Sequence, residues 1–137
     1  MAIQYSTAVR DAQLDAWEST IGTAPTLQIR SGSPPATCAS ADSGTLLCEI
    51  TLPSDWMAAA SAGSKAKSGT WSGSGHANAS TGTNAGHYRI KASGGTCHEQ
   101  GTVTATGGGG DLTLDNINIA QDQAVTVTSF TRTAGNA

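Results

Sequence analysis

Hydrophobic positions along this chain first recur at helical spacing. Between Thr7 and Ile21 they fall at Val9, Ala12, Ala16, Trp17 and Ile21, a one-sided stripe that predicts a helix. Ser6 or Thr7 supplies an N-cap oxygen for an otherwise unpaired backbone N–H. Gly22 suits the left-handed position that ends a helix, and Pro25 prevents its resumption. The period then changes to two. Leu27 and Ile29 alternate with Gln28 and Arg30 up to the breaker Ser31-Gly32-Ser33-Pro34-Pro35. Leu46, Cys48, Ile50 and Leu52 form the clearest alternating face, with Thr45, Glu49 and Thr51 opposite and Pro53 as the stop.

Alternation returns at Tyr88, Ile90 and Ala92, and a Thr-rich strand over 98–106 carries Val103 and Ala105. Leu112 with Leu114, Ile117 with Ile119, and a run over 124–133 with Val125 and Val127 complete the pattern. Gly107 to Gly110 reads as a turn between two strands. The fold class expected is all-β: a jelly-roll-like β-sandwich of about seven or eight short antiparallel strands with one N-terminal α-helix. A single domain over 1–137 is expected, with an arm and helix over 1–25 and the sandwich over 26–137. Residues 63–87 are rich in Gly, Ser, Thr, Ala and Asn, with Trp71 as their one large apolar side chain, and read as a loop.

Composition sharpens this picture. Ala, Thr, Gly and Ser make up more than half of the 137 residues, and Ile, Leu, Val and Phe total only 19, so any core is small. Charged residues are 12 % of the chain, about half the roughly 25 % usual for a soluble domain. A net charge of −3 disfavours nucleic-acid binding through a broad basic surface. No apolar run approaches the roughly 20 residues that span a bilayer, and Met1 to Tyr5 show no signal-peptide pattern. We therefore expect a soluble protein made in the cytosol, retained there or carried out within something larger, with no membrane partner. Cys38, Cys48 and Cys97 make an odd count. Cys38 and Cys48 could close a short loop, which spacing does not establish; free thiols are preferred, with Cys48 as a small buried hydrophobe.

The search for chemistry finds no catalytic constellation and no cofactor site. Ser72-Gly73-Ser74-Gly75-His76 lacks the strand and helix that flank a nucleophile elbow and reads as a flexible loop. Gly107 to Gly110 is followed by Asp111, which would repel a phosphate. Cys97 and His98, as strand neighbours, point to opposite faces and cannot address one atom. His76, His87 and His98 stand eleven residues apart, a weak pattern for a metal, so ordinary histidines are expected. Glu49, Glu99, Asp111 and Asp115 could pair as in a glycosidase, but only six aromatic residues are present to line a sugar groove. A carbohydrate-binding module is a second possibility. Trp17 is expected to pack on the helix face and Trp56 to staple a loop to the core, leaving Trp71 alone as a platform.

The openings Met1-Ala2-Ile3-Gln4-Tyr5-Ser6-Thr7-Ala8-Val9-Arg10-Asp11-Ala12, Ile29-Arg30-Ser31-Gly32-Ser33-Pro34-Pro35 and Gly44-Thr45-Leu46-Leu47-Cys48-Glu49-Ile50-Thr51-Leu52-Pro53 resemble small virion proteins of tailed bacteriophages. So do Ala85-Gly86-His87-Tyr88-Arg89-Ile90, the stretch from Gly107 to Asn116, and the end from Val125 to Asn136. The resemblance covers nearly the whole chain as texture and carries no catalytic motif. Within that group it is most similar to capsid decoration or cement proteins. It implies a non-enzymatic role on the outside of the assembled capsid, with the major capsid protein as partner and self-association as a dimer or trimer. A phage tail or neck component is the rival. The interface residues expected are Ile3 and Tyr5 in the N-terminal arm, Trp71 in the Gly/Ser/Thr-rich loop, and Phe130 and Arg132 near the C-terminal tail.

Overall fold

The computed structural model describes residues 3–135; residues 1, 2, 136 and 137 of the expected domain and tail lie outside the described residues. Helix α1 spans Thr7–Ile21, as the periodicity predicts. The Ser6 hydroxyl accepts from the Val9 N–H at its start, and Gly22, at φ 90°, closes its end. The buried face differs from the predicted stripe. Leu14 and Ile21 are buried and Trp17 is half-buried, while Val9 is 43 % exposed and Ala12 and Ala16 face solvent. The reason is that the helix docks largely through polar bonds. Lys65 is buried between Asp15 and Glu18 at 2.7 Å from each, and Asp11 accepts from the Gly63 N–H. Arg10 donates to the Ala134 carbonyl at 2.6 Å. No helix among the described residues is long and apolar enough to cross a membrane.

The rest is mostly β: β1 (Thr26–Arg30), β2 (Leu46–Thr51), β3 (Ser64–Ala66), β4 (Trp71–Ser74), β5 (Thr83–Asn84), β6 (His87–Lys91), β7 (Cys97–Ala105), β8 (Leu112–Leu114), β9 (Asn118–Ile119), β10 (Ala124–Val127) and β11 (Thr131–Thr133). Five of them form a sheet in the order β2-β1-β6-β7-β8, and β4 pairs with β10, β3 with β11, and β5 with β9. A Cys48–Gly75 bridge ties the β4–β10 pair to the edge at β2, so the sheet curls around the core. A bulge where β1 meets β2 leaves Leu47 as the extra residue, and Leu47 and its neighbour Cys48 are both fully buried. Strict alternation could not deliver that.

Three expectations are corrected. Strands expected to number seven or eight and to be antiparallel throughout number eleven among the described residues, because short pairs flank the main sheet, and they include one parallel pair, β7 with β8. The four glycines at 107–110 do not form a simple hairpin turn. With Gly107 and Gly109 at φ 88° and 81°, they carry the chain back beside Thr104 so that β8 starts again in the direction of β7. Second, the run over 124–133 is two strands, broken at 128–130 where Phe130 turns into the core. Third, 63–87 is no loose loop. It holds β3, β4, a short 3-10 turn over Ala77–Ala79, and β5. The Ser/Gly text there signals close approach: a Cβ at Gly75 would stand 1.8 Å from the Ala120 carbonyl oxygen.

The segment has a physical reason to be ordered. Trp17, Trp56, Trp71, Phe130 and Tyr88 stack in sequence, with ring centroids 5.1, 6.0, 5.1 and 6.0 Å apart. This aromatic spine runs from the helix to the sheet. Trp56 donates to the Gly22 carbonyl at 2.9 Å, which makes it the staple expected, and Trp71 donates to the Ser68 carbonyl at 3.1 Å. Truncating the central member, Trp71→Ala, should cost about 3–5 kcal/mol, a large part of the roughly 5–15 kcal/mol typical of a domain. Trp71→Phe should retain more of that stability. Urea titration followed by tryptophan fluorescence and far-UV circular dichroism checks both.

Candidate functional site

The five residues expected at an interface separate into two groups. Ile3 is 67 % exposed and Tyr5 44 %, both in the arm ahead of α1. Val9, one turn into the helix and 43 % exposed, joins them, and these three are the exposed large hydrophobics among the described residues. The others lie elsewhere. Trp71 and Phe130 are 0 % and 3 % exposed, so they belong to the core and present no surface. Burial of Trp71 also removes the indole that a sugar-stacking platform required. Arg132 is half-buried, with its guanidinium 4.2 Å from the Phe130 ring centroid at the end of the aromatic spine.

Arg132 belongs to a polar network that the sequence did not announce. Its guanidinium grips the Glu99 carboxylate with two nitrogens, the Nε bond being 2.8 Å. It also donates to the Tyr88 hydroxyl, which itself donates to Glu99 at 2.7 Å. Burial pushes the Tyr88 pKa well above its ordinary value, and the Glu99 charge adds to that push. For Arg132, burial alone would lower the pKa, but Glu99 outweighs it and the guanidinium stays charged. These groups line an open cleft of about 480 Å³ together with Gln100, Asp111, Thr131 and Thr133. Both Glu99 oxygens accept bonds already, and one Asp111 oxygen accepts from the Thr102 N–H and hydroxyl at 3.0 and 3.1 Å. The network is thus a brace between β6, β7 and β11. Glu49, on the opposite edge strand β2, bonds Gln28, and Asp115 bonds Thr106, so of the four carboxylates Glu99 and Asp111 share the cleft and the other two lie elsewhere.

The other face of the sheet is covered by the segment 31–45 between β1 and β2. Arg89 sits at the centre of that cover and is 2 % exposed. It forms an ion pair with Asp42 and donates to the carbonyls of Cys38 and Ser40 at 2.8 and 3.1 Å. Arg30 and Lys91 reach the same Asp42 carboxylate at 3.1 and 2.7 Å. Gln100 donates to the Pro35 carbonyl, and fully buried His87 bonds the Gly32 carbonyl through Nδ1. Against this cover the sulfurs of Cys38 and Cys97 meet at 2.7 Å, whereas Cys48 is buried in the core. The short loop contemplated between Cys38 and Cys48 is therefore not the close thiol pair. Period-two reading placed Arg89 and Lys91 on the face opposite Tyr88 and Ile90; nothing in the pattern said that this face would be covered.

The three histidines sit in different settings. His76 accepts from the Asn78 N–H and caps the 3-10 turn, His98 is exposed near Trp17, and His87 is in the sheet. Among the described residues, no three His, Cys, Asp or Glu side chains are placed to hold a metal ion. No protein-family profile, curated protein or solved structure matches the chain.

Asp42 gives the covering segment a pH dependence. Burial would raise its pKa, but bonds from Lys91 and Arg89 and the charge of Arg30 outweigh it and hold the carboxyl below its ordinary 3.8. Stability from this group is therefore complete above the unfolded value near 3.8 and is lost as pH falls through the lower folded value. Melting curves collected downward from pH 6 should show an acid limb below about pH 4 that Asp42→Asn flattens. Amide exchange in residues 31–45 should accelerate over the same range.

Proposed function

We propose that this chain is a non-enzymatic virion protein that binds the outside of an assembled phage capsid and stabilises it, as a cement or decoration protein. Its partner is the major capsid protein of the same phage, and it self-associates as a dimer or trimer. It joins the shell in the host cytoplasm and resides on the virion surface. The single observation that carries this reading is the N-terminal end: Ile3, Tyr5 and Val9, close together in sequence, are the exposed large hydrophobics among the described residues. The resemblance to small phage virion proteins supports it, and the curled sheet with its flanking strand pairs fits a jelly-roll-like sandwich.

Adhesion to an assembled lattice has a simple thermodynamic consequence. A protein that binds the closed shell better than free subunits shifts the equilibrium toward the shell. Many copies acting together need only a modest contact each. A braced body with an apolar arm suits this work, because little ordering cost falls on the body when the arm engages.

Virions stripped of the chain should lose their genome at a lower temperature than intact ones, and adding the protein back should restore the difference. Equal robustness would defeat the cement role, and density confined to the tail or neck would transfer the assignment there. The paired change Ile3→Asp and Val9→Asp should weaken capsid binding at least tenfold, since each apolar side chain contributes roughly 1.5–3 kcal/mol when buried. Because both sites are exposed, the melting temperature should stay within about 2 °C of the parent.

A further inference from the structure

We propose that Cys38 and Cys97 form a redox staple: a disulfide between them fastens the covering segment 31–45 to the start of β7. The argument is geometric and independent of the capsid reading. A bulge where β6 meets β7 leaves His98 as the extra residue and sets Cys97 opposite Lys91, on the covered face of the sheet. Arg89 holds the Cys38 carbonyl at 2.8 Å, fixing the backbone that carries the other thiol. Two elements 59 residues apart thereby bring their sulfurs to 2.7 Å. A disulfide needs about 2.05 Å, a further approach of roughly 0.7 Å. Both cysteines are only half-buried and line an open cleft of about 200 Å³ with Asp42, Arg89 and Lys91, so a small reagent can reach them.

The co-reactant is a small-molecule disulfide of the glutathione-disulfide class. Cys97 gives its proton to solvent and its thiolate attacks one of the reagent's sulfurs; the reagent's S–S bond breaks, and one small thiolate leaves while a mixed disulfide forms. Cys38 loses its proton to solvent and attacks the Cys97 sulfur, expelling the second small thiolate as the Cys38–Cys97 bond closes. Two protein thiols are oxidised and one small disulfide is reduced to two thiols. In the reduced pair, burial and the hydrogen bond with Cys97 push the Cys38 pKa up to about 11; once Cys97 carries the mixed disulfide, burial still disfavours the Cys38 thiolate, so mild alkali speeds the closing step. The thiols remain separate in a reducing cytosol and join in an oxidising medium. Cys48, at 0 % exposure, takes no part.

The test uses the full chain, purified reduced and incubated with oxidised glutathione at mildly alkaline pH. The mass should fall by two hydrogens, and peptide mapping should find Cys38 joined to Cys97. The melting temperature should rise by about 10 °C, since the bond closes a long loop in the unfolded chain, and a reductant should reverse the rise. Cys38→Ser and, separately, Cys97→Ser should abolish both changes, whereas Cys48→Ala should keep them. A persistent glutathione adduct, a bond involving Cys48, or an unchanged melting temperature would overturn the proposal.

Discussion

Stacking of five aromatic rings is the contact on which the rest of this molecule depends. With only 19 Ile, Leu, Val and Phe residues, the chain lacks the aliphatic mass for an ordinary core. Large rings compensate, because each buries 150–250 Å² and offers specific edge and face geometry. Trp17 belongs to the helix, Trp56 to the segment after β2, Trp71 to β4, Tyr88 to β6, and Phe130 to the turn before β11. The spine therefore joins parts of the chain that are far apart in sequence. The Gly/Ser/Thr-rich region between 63 and 87 is ordered because Trp71 anchors it at mid-spine.

The second face of the sheet is closed differently. There, polar side chains fill the space between the sheet and the covering segment. Arg89 ties down the covering segment through carbonyl oxygens and Asp42, while Gln100 and His87 hold two further points. A buried guanidinium needs acceptors, and the segment supplies them to the two terminal nitrogens of Arg89, while its Nε is buried without a partner. The brace of Arg132, Glu99 and Tyr88 does similar work at the C-terminal strand. Both networks use charged side chains as internal ties between segments of the chain.

Against this braced body the N-terminal arm stands out. Ile3, Tyr5 and Val9 place apolar area in water next to a helix that is itself tied down by Arg10, Asp11, Asp15 and Glu18. The proposed adhesion rests on that contrast between a polar-braced body and an apolar N-terminal end.

Much of the architecture was legible in the residues alone. The helix at 7–21, its caps, and the strands around Leu27, Ile50, Tyr88, Val103 and Leu112 follow from local periodicity and breakers, which act over a few residues and need no partner. Ile3 and Tyr5 were legible as arm residues for the same reason. Other features rest on contacts between distant segments. The Leu47 bulge, the parallel β7–β8 pair, the burial of Trp71 and Phe130, the Arg89 cover and the meeting of Cys38 with Cys97 are set by which surfaces close on one another. A lone Trp in a Ser/Gly stretch, or an Arg at an outward strand position, has the same local signature whether solvent or another segment lies over it. Only the folded chain supplies that second surface, so only the tertiary structure could decide.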